Sequence, residues 1–162
     1  MFLDQASFRT VVAATPLVSI DLLVQNAEGE VLLGQRLNRP AQGYWFVPGG
    51  RILKSETLDV AFTRLTQMEL GTCFARNEAD FMGVYEHFYT DSVFGASPDT
   101  HYVVLCYHLQ LPTEVRLALP QTQHGHFRWW SLDEMRLNVA VHENTRAYLP
   151  ALPQADDLSK GC

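Results

Sequence analysis

The sequence predicts an α/β fold in which a mixed β-sheet lies between α-helices. Its β-rich and amphipathic segments follow the order β-β-β-α-β-β-β-α, which favours helices packed on the faces of one sheet. No internal repeat or linker divides the 162 residues, a length that fits a single domain with a buried core. We therefore expect one domain over residues 1–149 and a flexible C-terminal tail over 150–162.

Local signals predict the first elements. Asp4 is placed to cap a short helix that ends before Pro16. The β-rich stretch 17–24 and the segment 31–35 are joined by a turn at 26–29, a pattern typical of a hairpin.

The amphipathic segment that comes next predicts a helix over 56–70, ended by Gly71. Ser131 and Glu134 have the spacing of a capping box for a late helix, and a further helical turn is expected at 142–149. The other strands are predicted at 44–47, 81–89, 101–111 and 127–130, with a long loop over 112–126 before the last of them.

Composition and charge restrict the partners. The formal net charge of −6 argues against nucleic acid, so an anionic ligand must be held by a few placed arginines and a cation. Cys73, Cys106 and Cys162 are widely spaced with no CxxC, which favours a reduced, cytoplasmic protein. Neither a secretory signal nor an apolar stretch of about 18 residues occurs, so no membrane association is expected.

The most informative segment is residues 50–72. It has five residues at fixed spacing: Gly50, Glu56, Arg64, Glu69 and Gly71. This pattern resembles the box of the Nudix hydrolase family, G-x5-E-x7-R-E-U-x-E-E-x-G-U, where U is a bulky aliphatic residue. The resemblance implies the Nudix fold. A Pro48-Gly49-Gly50 turn is expected to join the preceding strand to the box.

Two carboxylates of the box are missing. Leu65 and Met68 stand where the family usually has glutamates, and they continue an apolar stripe that predicts packing into the core. Positions 65, 68 and 69 share one helix face, so three carboxylates there would hold several divalent ions. Glu69 alone indicates one metal ion and a different chemistry.

Further stretches are similar to the GDP-mannose mannosyl hydrolase branch of the family. They lie at 14–21, 38–51, 83–89, 100–105 and 123–129. This resemblance implies a homodimer that uses Mg²⁺ and releases GDP and mannose by cleavage at the C1–O bond of the sugar, whereas other Nudix enzymes attack phosphorus. GDP-glucose is a second candidate substrate.

The expected metal ligands are oxygens. Mg²⁺ takes six oxygen ligands and shares them between protein, phosphates and water. Glu69 supplies one carboxylate oxygen, and the resemblance adds the Gly49 carbonyl and the Gln123 side chain. We expect one Mg²⁺ per active site, for which Mn²⁺ can substitute; a surface role is the alternative for Gln123.

Cationic and phenolic groups are candidates for stabilising the departing GDP. Arg36 and Arg51 can pair with phosphate oxygens and Tyr102 can donate its hydroxyl, although a single arginine is often only a solvated charge. Arg64, on the box helix, is expected to orient Glu69 or a neighbouring carboxylate.

Three residues are candidates for the chemistry at the sugar. Asp21 lies among aliphatic residues and is predicted to contact the sugar and stabilise its developing positive charge; a structural carboxylate is the alternative. His87 can orient Asp21 or the sugar, or be a core histidine. A neutral histidine can act as the general base for an inverting attack by water; by composition alone His124 and His126 are rivals, and the resemblance favours His124.

Two other functions stay open from the sequence. One is an ordinary Nudix pyrophosphohydrolase that splits the diphosphate of a nucleotide sugar, and the other is a nucleotide-sensing module without catalysis. Leu65 and Met68 argue against the first, and the presence of Glu69 and His124 argues against the second.

Overall fold

The computed structural model describes residues 3–120 and 124–152, and the side chains of residues 124 and 125 lie outside this description. Over the described ranges, seven strands form one mixed sheet. They are β1 Leu17–Gln25, β2 Val31–Arg36, β3 Trp45–Phe46, β4 Gly49–Arg51, β5 Asp80–Tyr89, β6 Thr100–Gln110 and β7 His124–Trp130. The order is β3-β2-β1-β6-β5, with β4 added to β1 and β7 to β2. The β1–β6 pair is parallel and the others are antiparallel.

Helices cover both faces of this sheet. They are α1 Gln5–Ala14, α2 Leu58–Leu70, α3 Leu132–Leu137 and α4 Glu143–Arg146, with 3₁₀ turns at Arg76–Glu78 and Leu149–Ala151. The predicted fold class is therefore confirmed. No helix among the described residues is long and apolar enough to cross a membrane.

Side-chain alternation along β1 builds the two halves of the core. Ile20, Leu22 and Val24 are fully buried against the α2 side of the sheet, together with Phe62. Leu23 points to the opposite face and packs in the cluster that holds the C-terminal helices. Because successive strand residues alternate, Asp21 shares the face of Leu23.

The ends of the helices follow local rules. The Asp4 side chain accepts a hydrogen bond from the Ser7 N–H at 3.0 Å, as predicted for the cap of α1. Helix α2 begins at Leu58, two residues later than predicted, because the Thr57 hydroxyl caps it. Gly71 ends α2 in the left-handed conformation, with φ of 67°. A Cβ there would lie 1.9 Å from the Ala118 carbonyl oxygen, so only glycine fits.

The folded chain extends past the predicted domain end. Leu152 is only 4% exposed and packs in the second core cluster, three positions beyond 149. Residues 153–162 of the predicted tail lie outside the described residues.

Candidate active site

One cavity of about 620 Å³ gathers the predicted site residues whose side chains are described. It lies where the box helix α2 meets β1, β4, β5 and β6, with the end of β2 on its rim. The residues that line it include Asp21, Arg36, Gly49, Arg51, Arg64, Glu69, His87 and Tyr102. The fold thus brings these predicted residues together at one cavity, from five strands and one helix.

Two predicted residues carry less structural information. Gln123 lies outside the described residues, as does the side chain of His124. The backbone of His124 begins strand β7 and pairs with Arg36 on β2. Its predicted place in a loop is therefore wrong: pairing with β2 extends the strand through a segment of low β propensity. The pairing puts the His124 backbone beside a residue that lines the cavity.

The predicted turn at Pro48-Gly49-Gly50 is also wrong, since Gly49–Arg51 is strand β4, antiparallel to β1. A Cβ at Gly49 would lie 2.4 Å from the Ile20 carbonyl oxygen and 2.8 Å from Oδ1 of Asp21. The absence of a side chain at Gly49 is what lets β4 approach β1 so closely and leaves room for the Asp21 carboxylate.

The same register directs the Gly49 carbonyl. The Leu22 N–H donates to the Pro48 carbonyl at 2.8 Å, and the Ile52 N–H donates to the Val18 carbonyl at 2.9 Å. Hydrogen-bonded pairs alternate along an antiparallel ladder, so the Asp21–Gly49 pair between them is not hydrogen-bonded. The Gly49 carbonyl therefore points away from β1, as a metal ligand must.

The donor set fits a hard divalent cation. Glu69 is only 1% exposed, and it lines the same cavity as Gly49. A carboxylate and a backbone carbonyl are ligands that Mg²⁺ prefers when phosphate and water complete the coordination. Within the described residues, no group of three or more His, Cys, Asp or Glu side chains lies close enough to hold a metal.

The replaced box positions behave differently from each other. Leu65 is 2% exposed and packs in the core as predicted. Met68 is 45% exposed and lines the cavity, so its predicted place in the core is wrong. Met68 lies on the cavity side of α2, beside the Arg64 guanidinium, with Sδ 3.6 Å from Nη1.

Arg64 holds Glu56, the neighbouring carboxylate. Its Nε and Nη2 donate to the two carboxylate oxygens of Glu56 at 2.6 and 2.8 Å, and Nη2 also donates to the Arg51 carbonyl at 2.9 Å. This ion pair holds the pKa of Glu56 below its usual range. Arg64 thus fastens the segment that carries Arg51 to α2 and positions one wall of the cavity.

Aromatic rings support both phosphate-binding candidates. The Arg51 guanidinium lies 4.1 Å from the ring centre of Phe8 on α1, and that of Arg36 lies 5.4 Å from the ring centre of Phe46. Such contacts fix a guanidinium while its edge donors stay available. Burial raises the pKa of Tyr102, so its hydroxyl stays protonated and able to donate at neutral pH.

Asp21 and His87 are joined by a residue that the sequence did not reveal. The Tyr148 hydroxyl donates to Oδ2 of Asp21 at 2.6 Å and lies 3.2 Å from Nε2 of His87. Burial raises the pKa of Asp21 to about 6, although the Tyr148 hydrogen bond and the charge of Arg36 oppose this. Burial, with a smaller effect of His142, lowers the pKa of His87 to about 4.

These two groups should make opposite contributions to stability in the metal-free protein. Asp21 keeps its proton up to about pH 6 in the folded state but loses it near 3.8 when unfolded. Its contribution to the free energy of unfolding therefore falls as the pH rises from about 4 to 6. His87 titrates near 4 when folded and 6.5 when unfolded, so its contribution falls as the pH drops through that window.

Two variants separate the contributions. The free energy of unfolding of Asp21→Asn, relative to the unsubstituted protein, should rise by up to about 3 kcal/mol between pH 4 and 7. That of His87→Gln should fall by a similar amount over the same range. Urea unfolding in the presence of a chelator measures both. Difference profiles that are flat with pH would contradict the assignment.

Comparisons with known proteins define the family. The NUDIX domain profile matches residues 15–152. Agl8 of Haloferax volcanii, a low-salt glycan biosynthesis protein, is 39% identical over 121 residues, which cover 75% of this chain and 74% of Agl8. The chain therefore belongs to the Nudix family, whose hydrolases generally use a divalent metal such as Mg²⁺.

Solved structures agree on the fold. The MutT protein of Methanosarcina mazei superposes with a TM-score of 0.69 at 20% identity, covering 91% of this chain and 98% of that one. The MutT NUDIX hydrolase of Burkholderia pseudomallei gives 0.69 at 24% identity, covering 86% and 99%. The NUDIX domain of Shewanella oneidensis NrtR, solved with ADP ribose, gives 0.63 at 18% identity, covering 92% and 90%.

Proposed function

We propose that this protein hydrolyses GDP-mannose, with GDP-glucose as a second candidate, to GDP and the free sugar. Water attacks C1 of the sugar with inversion, and one Mg²⁺ acts in each site. The observation that supports this most strongly is the composition of the cavity wall. Leu65 and Met68 replace carboxylates on α2, so the acidic residues that line the cavity, among those described, are Asp21 and Glu69. Water activation at phosphorus normally draws on the carboxylates that are missing here.

Glu69 and the Gly49 carbonyl would hold the cation, together with Gln123, and the bound cation would stabilise charge on the diphosphate leaving group. Mn²⁺ would substitute for Mg²⁺. Arg36 and Arg51 pair with the phosphate oxygens and Tyr102 donates its hydroxyl.

At the sugar, the ionised Asp21 carboxylate stabilises the positive charge that develops at C1 as the C1–O bond breaks. His87, fixed through Tyr148, helps to hold that carboxylate in place. His124 takes the proton of the attacking water on the face opposite to GDP. Its backbone beside Arg36 supports its presence at the cavity. We also propose that the protein is a homodimer and that it is cytoplasmic.

The name of Agl8, a low-salt glycan biosynthesis protein, supports a nucleotide-sugar substrate, because glycan biosynthesis consumes activated sugars. The second candidate function, cleavage of the diphosphate itself, has the ordinary chemistry of the family in its favour.

Product identification tests the choice between them. The purified protein is incubated with Mg²⁺ and GDP-mannose, and the products are separated by anion exchange. We expect GDP and mannose. GMP and mannose 1-phosphate would contradict the proposal and establish the diphosphate-splitting alternative, whereas an unchanged substrate would favour a sensing module.

A further inference from the structure

Tyr148 occupies a distinctive place behind the cavity. It follows α4, 127 positions after Asp21 in the sequence, and its side chain is fully buried. Tyr148 does not line the cavity itself, but both of its hydroxyl contacts are to residues that do. Through its hydrogen bonds, Tyr148 can therefore act on a bound substrate by way of Asp21 or His87.

The directions of the two hydrogen bonds follow from protonation. Burial and the nearby Asp21 charge raise the pKa of Tyr148, so its hydroxyl keeps its single proton. The shorter contact, 2.6 Å to Oδ2 of Asp21, takes that proton. His87 is neutral at pH 7 and carries one ring N–H. The other contact joins the Tyr148 hydroxyl oxygen and Nε2 of His87 at 3.2 Å. Because the hydroxyl proton is already given to Asp21, Nε2 of His87 must be the donor in this contact.

This chain of donors fixes one rotation of the carboxylate. The terminal torsion of aspartate is broad and needs outside contacts to fix it. Oδ2 is held by Tyr148, and Oδ1 is turned towards Gly49, where a Cβ would lie 2.8 Å away. One oxygen is thus anchored in the protein interior, and the other is presented beside β4 at the cavity.

We propose that Tyr148 is a positioning residue, which holds the Asp21 carboxylate in the orientation that stabilises the sugar as its bond to GDP breaks. The inference rests on the proposed function, because it gives Asp21 its role at the sugar. An interaction that matters chiefly in the transition state changes kcat rather than KM. Tyr148 therefore acts on the rate of reaction and leaves nucleotide binding to the arginines.

Tyr148→Phe tests this with little change in packing. The ring makes an edge contact with Tyr85, with centroids 4.6 Å apart, which phenylalanine keeps. We expect kcat for GDP-mannose to fall about 10- to 100-fold, as for loss of one hydrogen bond to a charged group, with KM within about twofold. Tyr85→Phe is the matched control, since among the described residues Tyr85 has no hydrogen bond to Asp21 or His87, and it should keep the kcat of the unsubstituted protein.

A double-mutant cycle separates positioning from general damage to the fold. In an Asp21→Asn background, adding Tyr148→Phe should lower kcat by less than about twofold, since Tyr148 acts through the ionised carboxylate. A full additional loss in that background would overturn the inference. An unchanged kcat in the single variant, or a rise in KM alone, would overturn it as well.

A second measurement needs no variant. The ¹⁵N chemical shifts of the His87 ring in the unsubstituted protein at pH 7 should show the neutral form protonated at Nε2, and protonation at Nδ1 would overturn the chain of donors. This outcome is independent of the reaction catalysed. If the unsubstituted protein releases GMP from GDP-mannose, the proposed function fails while the tautomer still reports on Tyr148.

Discussion

Replacing His124 with glutamine is expected to lower kcat by about 10²- to 10⁴-fold, the usual contribution of a general base, while the KM for GDP-mannose changes little. The expectation rests on the proposed role of His124 as the base and on its backbone, which begins β7 opposite Arg36, a residue that lines the cavity. Initial rates at saturating Mg²⁺ measure the effect.

The pH profile makes this prediction sharper. A base that must be unprotonated gives an acidic limb in kcat/KM, but Asp21 has its pKa raised to about 6 and must also be ionised. The unsubstituted protein should therefore lose activity on acidification with two protonations, one of which is that of Asp21 near pH 6. His124→Gln should retain a limb from Asp21 with a single protonation.

His126 is the matched control. It is an exposed histidine two positions away, and His126→Gln should keep near-normal kcat. Opposite-face attack also requires inversion, so proton NMR of fresh product should show β-mannose from α-linked substrate. If His126→Gln has the large loss of kcat instead, His126 and not His124 is the base. If α-mannose is the first product, the reaction is not a single displacement.

Glu69→Gln is expected to weaken Mg²⁺ binding by about 100-fold or more and to slow turnover severely. Loss of a partner that only supports a ligand costs about 10- to 100-fold in metal affinity, and Glu69 is proposed as a ligand itself. Glutamine keeps the volume of this buried side chain but removes its charge. Calorimetric titration with Mg²⁺, and the rise in Tm that Mg²⁺ gives, measure the change.

Asp59→Asn provides the control on the same helix. Asp59 pairs with Arg76 and has a side chain 72% exposed, so the same chemical change there should leave the metal affinity unaltered. The titration also counts ions. We expect one tight Mg²⁺ per chain, and two or three would contradict the proposal that the replacement of carboxylates at positions 65 and 68 leaves a single metal. Full activity of Glu69→Gln would remove Glu69 from the ligand set.

Short-range signals in the sequence predicted most of the fold. Asp4 and Ser131 cap helices through contacts with residues three positions away, and such contacts can be recognised from spacing alone. The predicted strands and the ending of α2 at Gly71 have the same origin. The predicted start of α2 was two residues too early because the Thr57 hydroxyl caps the helix, whereas Glu56 lies before the cap and pairs with Arg64.

Long-range contacts account for what the sequence did not reveal. Strand β4 exists because β1 lies alongside it, and Pro48-Gly49-Gly50 alone is typical of a turn. Met68 lies at an apolar position of α2 but faces the cavity. Tyr148 reaches Asp21 from the other end of the chain, and no spacing rule predicts a contact between residues so far apart. The family resemblance predicted the site residues, whereas the contacts that hold them in place became visible only in the folded chain.

The position of bond cleavage tests the central claim most directly. GDP-mannose is hydrolysed with Mg²⁺ in water enriched in ¹⁸O, and both products are analysed by mass spectrometry, soon enough that exchange at the free sugar stays small. Attack at C1 places the label in mannose and leaves GDP unlabelled, which is the predicted result. Label in GDP, or in any other phosphate-containing product, would show attack at phosphorus and contradict the account.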